Sequence, residues 1–341
     1  MEITITRPDD WHLHLRDGDK LQRTVNDAAQ RFHRAIVMPN LNPPVITCDM
    51  ANKYRERILA YLPSGYHFKP LMPLYLTDNT PLEEVRKAAS IEHIPGFKLY
   101  PSGATTNSDA GVTAIAKCYD KFALMEEVGL VLLIHGEATH KSIDVFDREK
   151  AFIDNTLEKI VKQFPRLRVV FEHITTADAV DFVRSNQQMG ATITPQHLLF
   201  NRNAILVGGI KPHYYCLPVL KRETHRLALV EAATSGNRQF FLGTDSAPHA
   251  VGDKENACGC AGIYSSHIGI EIYAEIFDKA NALDQLEAFA SFNGPDFYQL
   301  PRNQTQITLI KQPHKVPATL DFGQRKVSPL YADSEVQWRL L

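Results

Sequence analysis

Cysteine is scarce in this sequence: five in 341 residues, at Cys48, Cys118, Cys216, Cys258 and Cys260. An odd count, wide scatter and no apolar leader in the opening Met-Glu-Ile-Thr-Ile-Thr-Arg-Pro-Asp-Asp predict reduced thiols in the cytoplasm, not a disulfide framework. Cys258-Gly259-Cys260 has one intervening residue and no second pair, so it reads as a tight loop and not as a zinc ribbon. No run of Lys or Arg forms a basic stripe, and the formal net charge is −2. Neither nucleic acid nor an anionic membrane is therefore an expected partner. Long apolar runs are missing too; Leu130–Ile134 is far too short to span a bilayer. There is no short repeat, low-complexity tract or Pro/Ser-rich linker to cut the chain, which predicts one domain over residues 1–341. What remains is ordinary globular composition, 44% hydrophobic and 22% charged, with ample length for a large core.

Short β-branched or apolar runs alternate with longer helical patterns. The runs are Trp11–Leu15, Arg34–Met38, His67–Leu76, Gly96–Tyr100, Leu130–His135, Leu167–His173, Ala191–Thr194 and Gln239–Thr244. Amphipathic stretches lie between them at Leu82–Ser90, Val112–Val128, Ala151–Phe164, Ala177–Asn186 and Leu217–Ala233. Eight strands separated by helices predict an α/β fold, a (β/α)8 TIM barrel of parallel strands with its active site at the C-terminal rim. A doubly wound open sheet is the alternative, but no glycine-rich dinucleotide fingerprint supports it. Several apolar runs end in a metal-capable or charged residue: His135, His173, Asp245 and Lys98. Such polar groups are costly where strands normally point aliphatic residues at a core, about 1–3 kcal/mol each when unpaired.

His12 and His14 are two apart on a predicted strand, so both imidazoles share a face and could hold metal. Alone, the pair could equally be core or solvated histidines. Lys98 as an ammonium would be repelled by divalent ions, but as a neutral amine it can take up carbon dioxide and become an anionic carbamate with two oxygens. Read by itself, it is a lysine reaching for solvent or a carboxylate. His135 and His173 would serve a second ion and Asp245 the first. Imidazole and carboxylate suit zinc, although manganese, cobalt or nickel could substitute. Two such ions would share a water and bring its pKa toward neutrality.

The segments that carry this chemistry resemble those of the amidohydrolase superfamily, and within it the shorter, single-function bacterial and fungal dihydroorotases. They are Arg7-Pro-Asp-Asp-Trp-His-Leu-His-Leu-Arg-Asp, Val37-Met-Pro-Asn, Gly96-Phe-Lys-Leu-Tyr-Pro, Ile134-His-Gly-Glu, Phe171-Glu-His-Ile, Lys211-Pro-His, Leu242-Gly-Thr-Asp-Ser-Ala-Pro-His and Cys258-Gly-Cys-Ala-Gly. The resemblance implies a zinc enzyme that reversibly cyclises N-carbamoyl-L-aspartate to L-dihydroorotate in de novo pyrimidine biosynthesis. It implies two Zn2+ per subunit, His12, His14 and Asp245 on one and His135 and His173 on the other, bridged by N6-carboxylated Lys98 and a hydroxide. Asp245 would be the general acid and base, and the assembly a homodimer.

The substrate's carboxylate calls for a cation near the metals. Arg16, two residues past His14 on the same strand parity, supplies it. Taken alone, Asn40 reads as a turn residue before Pro43-Pro44 and His249 as a loop histidine; the resemblance assigns both to the carboxylate pocket. It also implies backbone contacts from Leu217 and Ala261 to the ring's amide edge. The small, polar, glycine-bounded loop 101–111 reads as a lid, with Thr105 and Thr106 placed to donate across a closed site. His197 and His213 are left as neighbours of the rim, and the remaining histidines receive no role. The rivals are a hydantoinase or allantoinase with the same metals, and a catalytically dead scaffold.

Overall fold

A computed structural model describes residues 1–341. After an N-terminal strand, β1 (Glu2–Thr6), come the strands of a parallel ring. These are β2 (Asp10–Leu13), β3 (Arg34–Val37), β4 (Lys69–Leu71), β5 (Leu74–Leu76), β6 (Gly96–Leu99), β7 (Val131–Ile134), β8 (Val169–Phe171), β9 (Met189–Ile193) and β10 (Phe240–Leu242). Pairing is parallel from β2 to β4 and from β5 to β10. The run expected as one strand over residues 67–76 is thus two pieces of the third barrel strand. Pro73 sits at the break with no N–H to give the ladder, and β5 instead donates from Tyr75 N to Val45 O at 2.8 Å.

The ring closes between β10 and β2. Asp245 N donates to His12 O at 2.8 Å, and His14 N donates to Ser246 O at 3.0 Å. Asp10 reinforces the seam, its carboxylate accepting from Thr244 N at 2.9 Å and from His12 N at 3.1 Å. The architecture is a TIM barrel, as the alternation of strands and helices predicts.

The strands are buried on both faces, which is why they read as nearly continuous apolar runs. Residues pointing inward, among them Trp11, Ile36, Leu133, Val170 and Phe241, fill the barrel's interior. Trp11 stacks on Tyr298 with ring centroids 4.6 Å apart. Gly294 makes that possible, since a Cβ there would lie 1.9 Å from Trp11 Nε1. Residues pointing outward meet the helices in a second cluster of 73 buried residues.

Helix ends follow local chemistry. Thr47 and Thr176 cap Cys48–Ala60 and Ala177–Arg184 with their side chains, and left-handed Gly129 ends Tyr119–Val128. The stretch expected as a helix over 217–233 is helical only from Glu223. Residues 217–222 instead form a loop that bends at Leu217 and Pro218. Helix also begins earlier than expected before residue 151, at Arg148, and passes through a π-turn at Ile153–Leu157.

The chain ends pair outside the ring, β1 against β11 (Gln306–Ile310), with the short strand Arg339–Leu340 beside them. Ile5, Leu309, Val336 and Trp338 join the same 73-residue core, so this flank is packed onto the barrel. No helix is long and apolar enough to cross a membrane.

Candidate active site

The polar residues expected at strand ends converge on one rim. His12 lies in β2 and His14 one residue beyond it; Asp245 lies three residues beyond β10. His12 Nε2 is 3.4 Å and His14 Nε2 3.1 Å from Asp245 Oδ1, and the ligating atoms of the three all fall within 4.8 Å of one another. His135 and His173, at the ends of β7 and β8, form the second group, with His135 Nδ1 3.2 Å from His173 Nε2. The two groups adjoin: the His12 and His173 ring centroids are 4.9 Å apart. His173 and Asp245 hold φ near +42° and +43°, a left-handed backbone that costs a non-glycine residue about 1–3 kcal/mol. That strain is concentrated where the ligands are aimed.

Hydrogen bonds on the far side of the His12 and His135 rings set their tautomers. Glu172 Oε2 accepts from His12 Nδ1 at 2.8 Å, leaving Nε2 as a lone pair that faces the Asp245 carboxylate. Glu137 Oε2 accepts from His135 Nε2 at 2.8 Å, leaving Nδ1 as a lone pair toward His173. Two acceptors facing each other need a cation between them: a proton, which against burial Glu172 and Asp245 favour at His12 by raising its pKa, or a divalent ion, which this donor set fits. Burial pushes His14 down to about 4, and drives His173 well below its ordinary value with help from neighbouring His135 and Lys98. Both are held as neutral imidazoles, the form that binds metal. Burial opposes charge on Asp245, but contacts with His12 and His14 outweigh it and keep the carboxyl ionised.

Lys98 lies in β6 beneath these groups and is fully buried. Its Nζ has no hydrogen-bond partner, and burial lowers its pKa to about 8 against the pull of Glu172 and Asp245. An amine of that basicity is still mostly protonated at pH 7 but keeps about a tenth of its population as free base, the form that can react.

Arg16 reaches the pocket by a route different from the expected one. The strand stops at Leu13, and Arg16 takes a left-handed φ of +62°, so a turn and not strand alternation aims it. Its carbonyl accepts from the buried Tyr54 hydroxyl, its Nε donates to Pro248 O at 3.0 Å, and its NH2 group lies 2.9 Å from His249 Nε2. Burial and the charges of Arg16 and Lys254 press His249 down to about 2, so its ring is neutral and accepts from the guanidinium.

Loop 101–111 lies over the site. Asn40 Nδ2 donates to Thr106 O at 3.0 Å, and Asn107 Nδ2 returns a bond to Asn40 O at 3.0 Å. Thr105, Thr106, Leu217 and Ala261 line a narrow pocket together with His12, His14, Arg16, Asn40, His135, His173 and Asp245. Lys98 lies beneath this lining, and His249 is tied to it through Arg16.

His197 is buried near the rim, bonding Thr194 Oγ1 at 2.7 Å and Pro218 O at 3.0 Å, and so props the segment that carries Leu217. His213 is instead paired with Glu255 at the surface, at 2.7 Å. The sequence reasoning missed Glu137, Glu172 and Tyr100. Each lies beside or two residues from a named ligand, a spacing that could have marked the first two as partners of the histidines. Tyr100 lines the pocket with its hydroxyl buried and unpartnered.

Comparison with known proteins places this geometry in context. The sequence pattern described as "Amidohydrolase family" matches residues 5–332. The chain is 60% identical to a dihydroorotase of Ralstonia nicotianae over 338 residues, 99% of this chain and 98% of that one. In structure it is similar to the dihydroorotase of Campylobacter jejuni, with a TM-score of 0.92 and 33% identity over 99% and 97% of the two chains. It is also similar to the Saccharomyces cerevisiae dihydroorotase solved in complex with 5-fluoroorotic acid, with a TM-score of 0.91 and 32% identity over 100% and 98%.

Proposed function

We infer the activity from one premise: the chain belongs to the amidohydrolase family. It is a metal-dependent cyclic amide hydrolase, and its reaction is that of a dihydroorotase, the reversible closure of N-carbamoyl-L-aspartate to L-dihydroorotate in de novo pyrimidine biosynthesis. The observation that carries the substrate is the neighbourhood of Arg16. One narrow pocket holds a paired metal-ligand set and, beside it, a guanidinium braced for a carboxylate.

His12, His14 and Asp245 would hold one ion and His135 and His173 the other, with zinc favoured by imidazole and carboxylate ligands. When bound, the ions supply Lewis acidity and make water nucleophilic near pH 7. Lys98, once carboxylated, would be the ligand shared between the two ions. Its amine nitrogen bonds the carbon of CO2 and gives up one proton to solvent, converting an uncharged base into an anion among cations.

Arg16 and Asn40 bind the substrate carboxylate, the guanidinium donating and the Asn40 amide adding a hydrogen bond, while His249 completes the carboxylate pocket by holding the guanidinium. The backbones of Leu217 and Ala261 meet the ring's amide edge. In ring opening, Asp245 takes a proton from the attacking water and delivers it to the ring nitrogen as the C–N bond breaks. In closure it removes the proton from that nitrogen. Thr105 and Thr106 close over the pocket and exclude bulk water.

The same likeness leads us to a cytoplasmic homodimer. Leu206, Val207 and Ile210, at 50%, 59% and 73% exposed, are apolar surface of the kind a subunit interface covers.

The test is ring opening of dihydroorotate against hydantoin and allantoin by the zinc-loaded enzyme. Preference for dihydroorotate is expected; preference for either competitor would overturn the substrate assignment. Protein that bound metal yet turned over none of the three would point to the scaffold.

A further inference from the structure

Lys254 ends the short helix Val251–Lys254, is 4% exposed, and has no carboxylate partner. Its Nζ instead donates to three backbone carbonyls: Tyr215 O at 3.0 Å, Cys260 O at 2.9 Å and Gly262 O at 2.6 Å. An ammonium is the one side-chain group that offers three donors from a single atom, and here all three are used. Without it, three carbonyl dipoles would converge on an empty point and repel.

The identity of those carbonyls is informative. Cys260 and Gly262 flank Ala261, and Tyr215 is two residues before Leu217. The two segments are also joined directly, with Gly262 N donating to Tyr215 O at 3.0 Å. Gly262, at φ +149°, passes so close beneath the rim that a Cβ would lie 2.5 Å from Ala247 O and 2.9 Å from His249 Cδ2. The segments carrying Leu217 and Ala261 therefore have one common anchor, buried behind the pocket they line.

We propose that Lys254 is a positioning residue for substrate recognition, its ammonium fixing the separation of the Leu217 and Ala261 backbones and so the fit of a cyclic amide edge between them. The proposal rests on the reading of Leu217 and Ala261 as the amide-edge contacts. Lys254 does not touch substrate. It clamps the two strips of backbone that do.

The experiment compares metal-loaded, full-length wild type with Lys254→Met at equal metal content. Two ligands are titrated into each: 5-fluoroorotic acid, which carries both a carboxylate and the amide edge, and succinate, which carries carboxylates alone. Binding of 5-fluoroorotic acid is expected to weaken about tenfold in the variant, the loss from slackened hydrogen bonds, with succinate affinity unchanged. Equal weakening of both ligands, or of neither, overturns the proposal. If wild type itself binds 5-fluoroorotic acid no better than succinate, the amide-edge reading is what fails. Lys254→Gln keeps two donors and is expected to fall between; it carries the same comparison if the methionine variant does not accumulate.

Discussion

Replacing Glu172 by glutamine removes one charge and almost no volume from behind the metal ligands. Glu172 Oε2 accepts from His12 Nδ1 at 2.8 Å and from Thr192 Oγ1 at 2.6 Å. Thr192 Oγ1 in turn accepts from His173 N at 2.7 Å, so a single carboxylate steadies a ligand of each ion group. A hydrogen bond to a charged partner contributes about 1.5–3 kcal/mol and a neutral one about 0.5–1.5 kcal/mol. Glu172→Gln should therefore cost roughly 1–1.5 kcal/mol at His12, about tenfold in metal affinity, with more if the relay to His173 loosens. The amide must also present its oxygen to His12, because its NH2 group would force the ring into the tautomer with Nε2 protonated. The assay is metal retention: loaded protein dialysed against graded chelator, with bound metal counted by atomic absorption. Glu137→Gln is the internal comparison and should weaken only the His135 group. A chelator midpoint for Glu172→Gln identical to wild type would refute the claim that this carboxylate tunes the ligands.

Arg16→Gln should raise KM for dihydroorotate about 10- to 100-fold, the value of a charged hydrogen bond to a carboxylate, with metal content unchanged; an unaltered KM in steady-state kinetics would remove Arg16 from substrate binding. Gly262→Ala drives a Cβ into Ala247 O and His249 at a φ that side chains resist. It should cost about 1–3 kcal/mol in denaturant unfolding and raise KM, and wild-type values for both would mean that the loop need not pass so close. His267 is buried outside the pocket, and burial first, then Arg31, hold its pKa well below 6.5 against a backbone contact at Leu330. The folded form stays neutral while the unfolded chain takes a proton as pH falls through about 6.5, so stability is lost toward acid, by about 1.3 kcal/mol between pH 7.5 and 5.5. His267→Phe should therefore narrow the Tm difference between those two pH values by about 2 °C in calorimetry for a chain of 341 residues; a difference as wide as wild type's would mean that His267 is charged in the folded state.

The rim residues were legible in the sequence because a barrel converts local order into a site. An apolar run of four or five residues places its terminal residue at the rim, so His135, His173 and Asp245 could be named from their runs alone. Amphipathic spacing likewise located helix in five stretches, while the helices Leu21–Arg31, Cys48–Ala60 and Gly269–Lys279 were not read from it. Where a proline interrupted a strand pattern, at Pro73, the expected element was split by a missing N–H.

Only the folded chain decided what stands behind and around those ligands. Glu172 meets His12 across 160 positions, and Asp245 meets His14 across 231, contacts set by strand register and barrel closure. Arg16 was expected from strand parity and arrived by a left-handed turn, a conformation that residue spacing does not encode. Lys254 resembled any helix-end lysine until three carbonyls from two distant segments closed on it. The sequence by itself determined which side chains reach the rim, because strand and helix periods are local. Their mutual distances, tautomers and partners belong to the tertiary structure, because each depends on groups brought together only when the ring shuts.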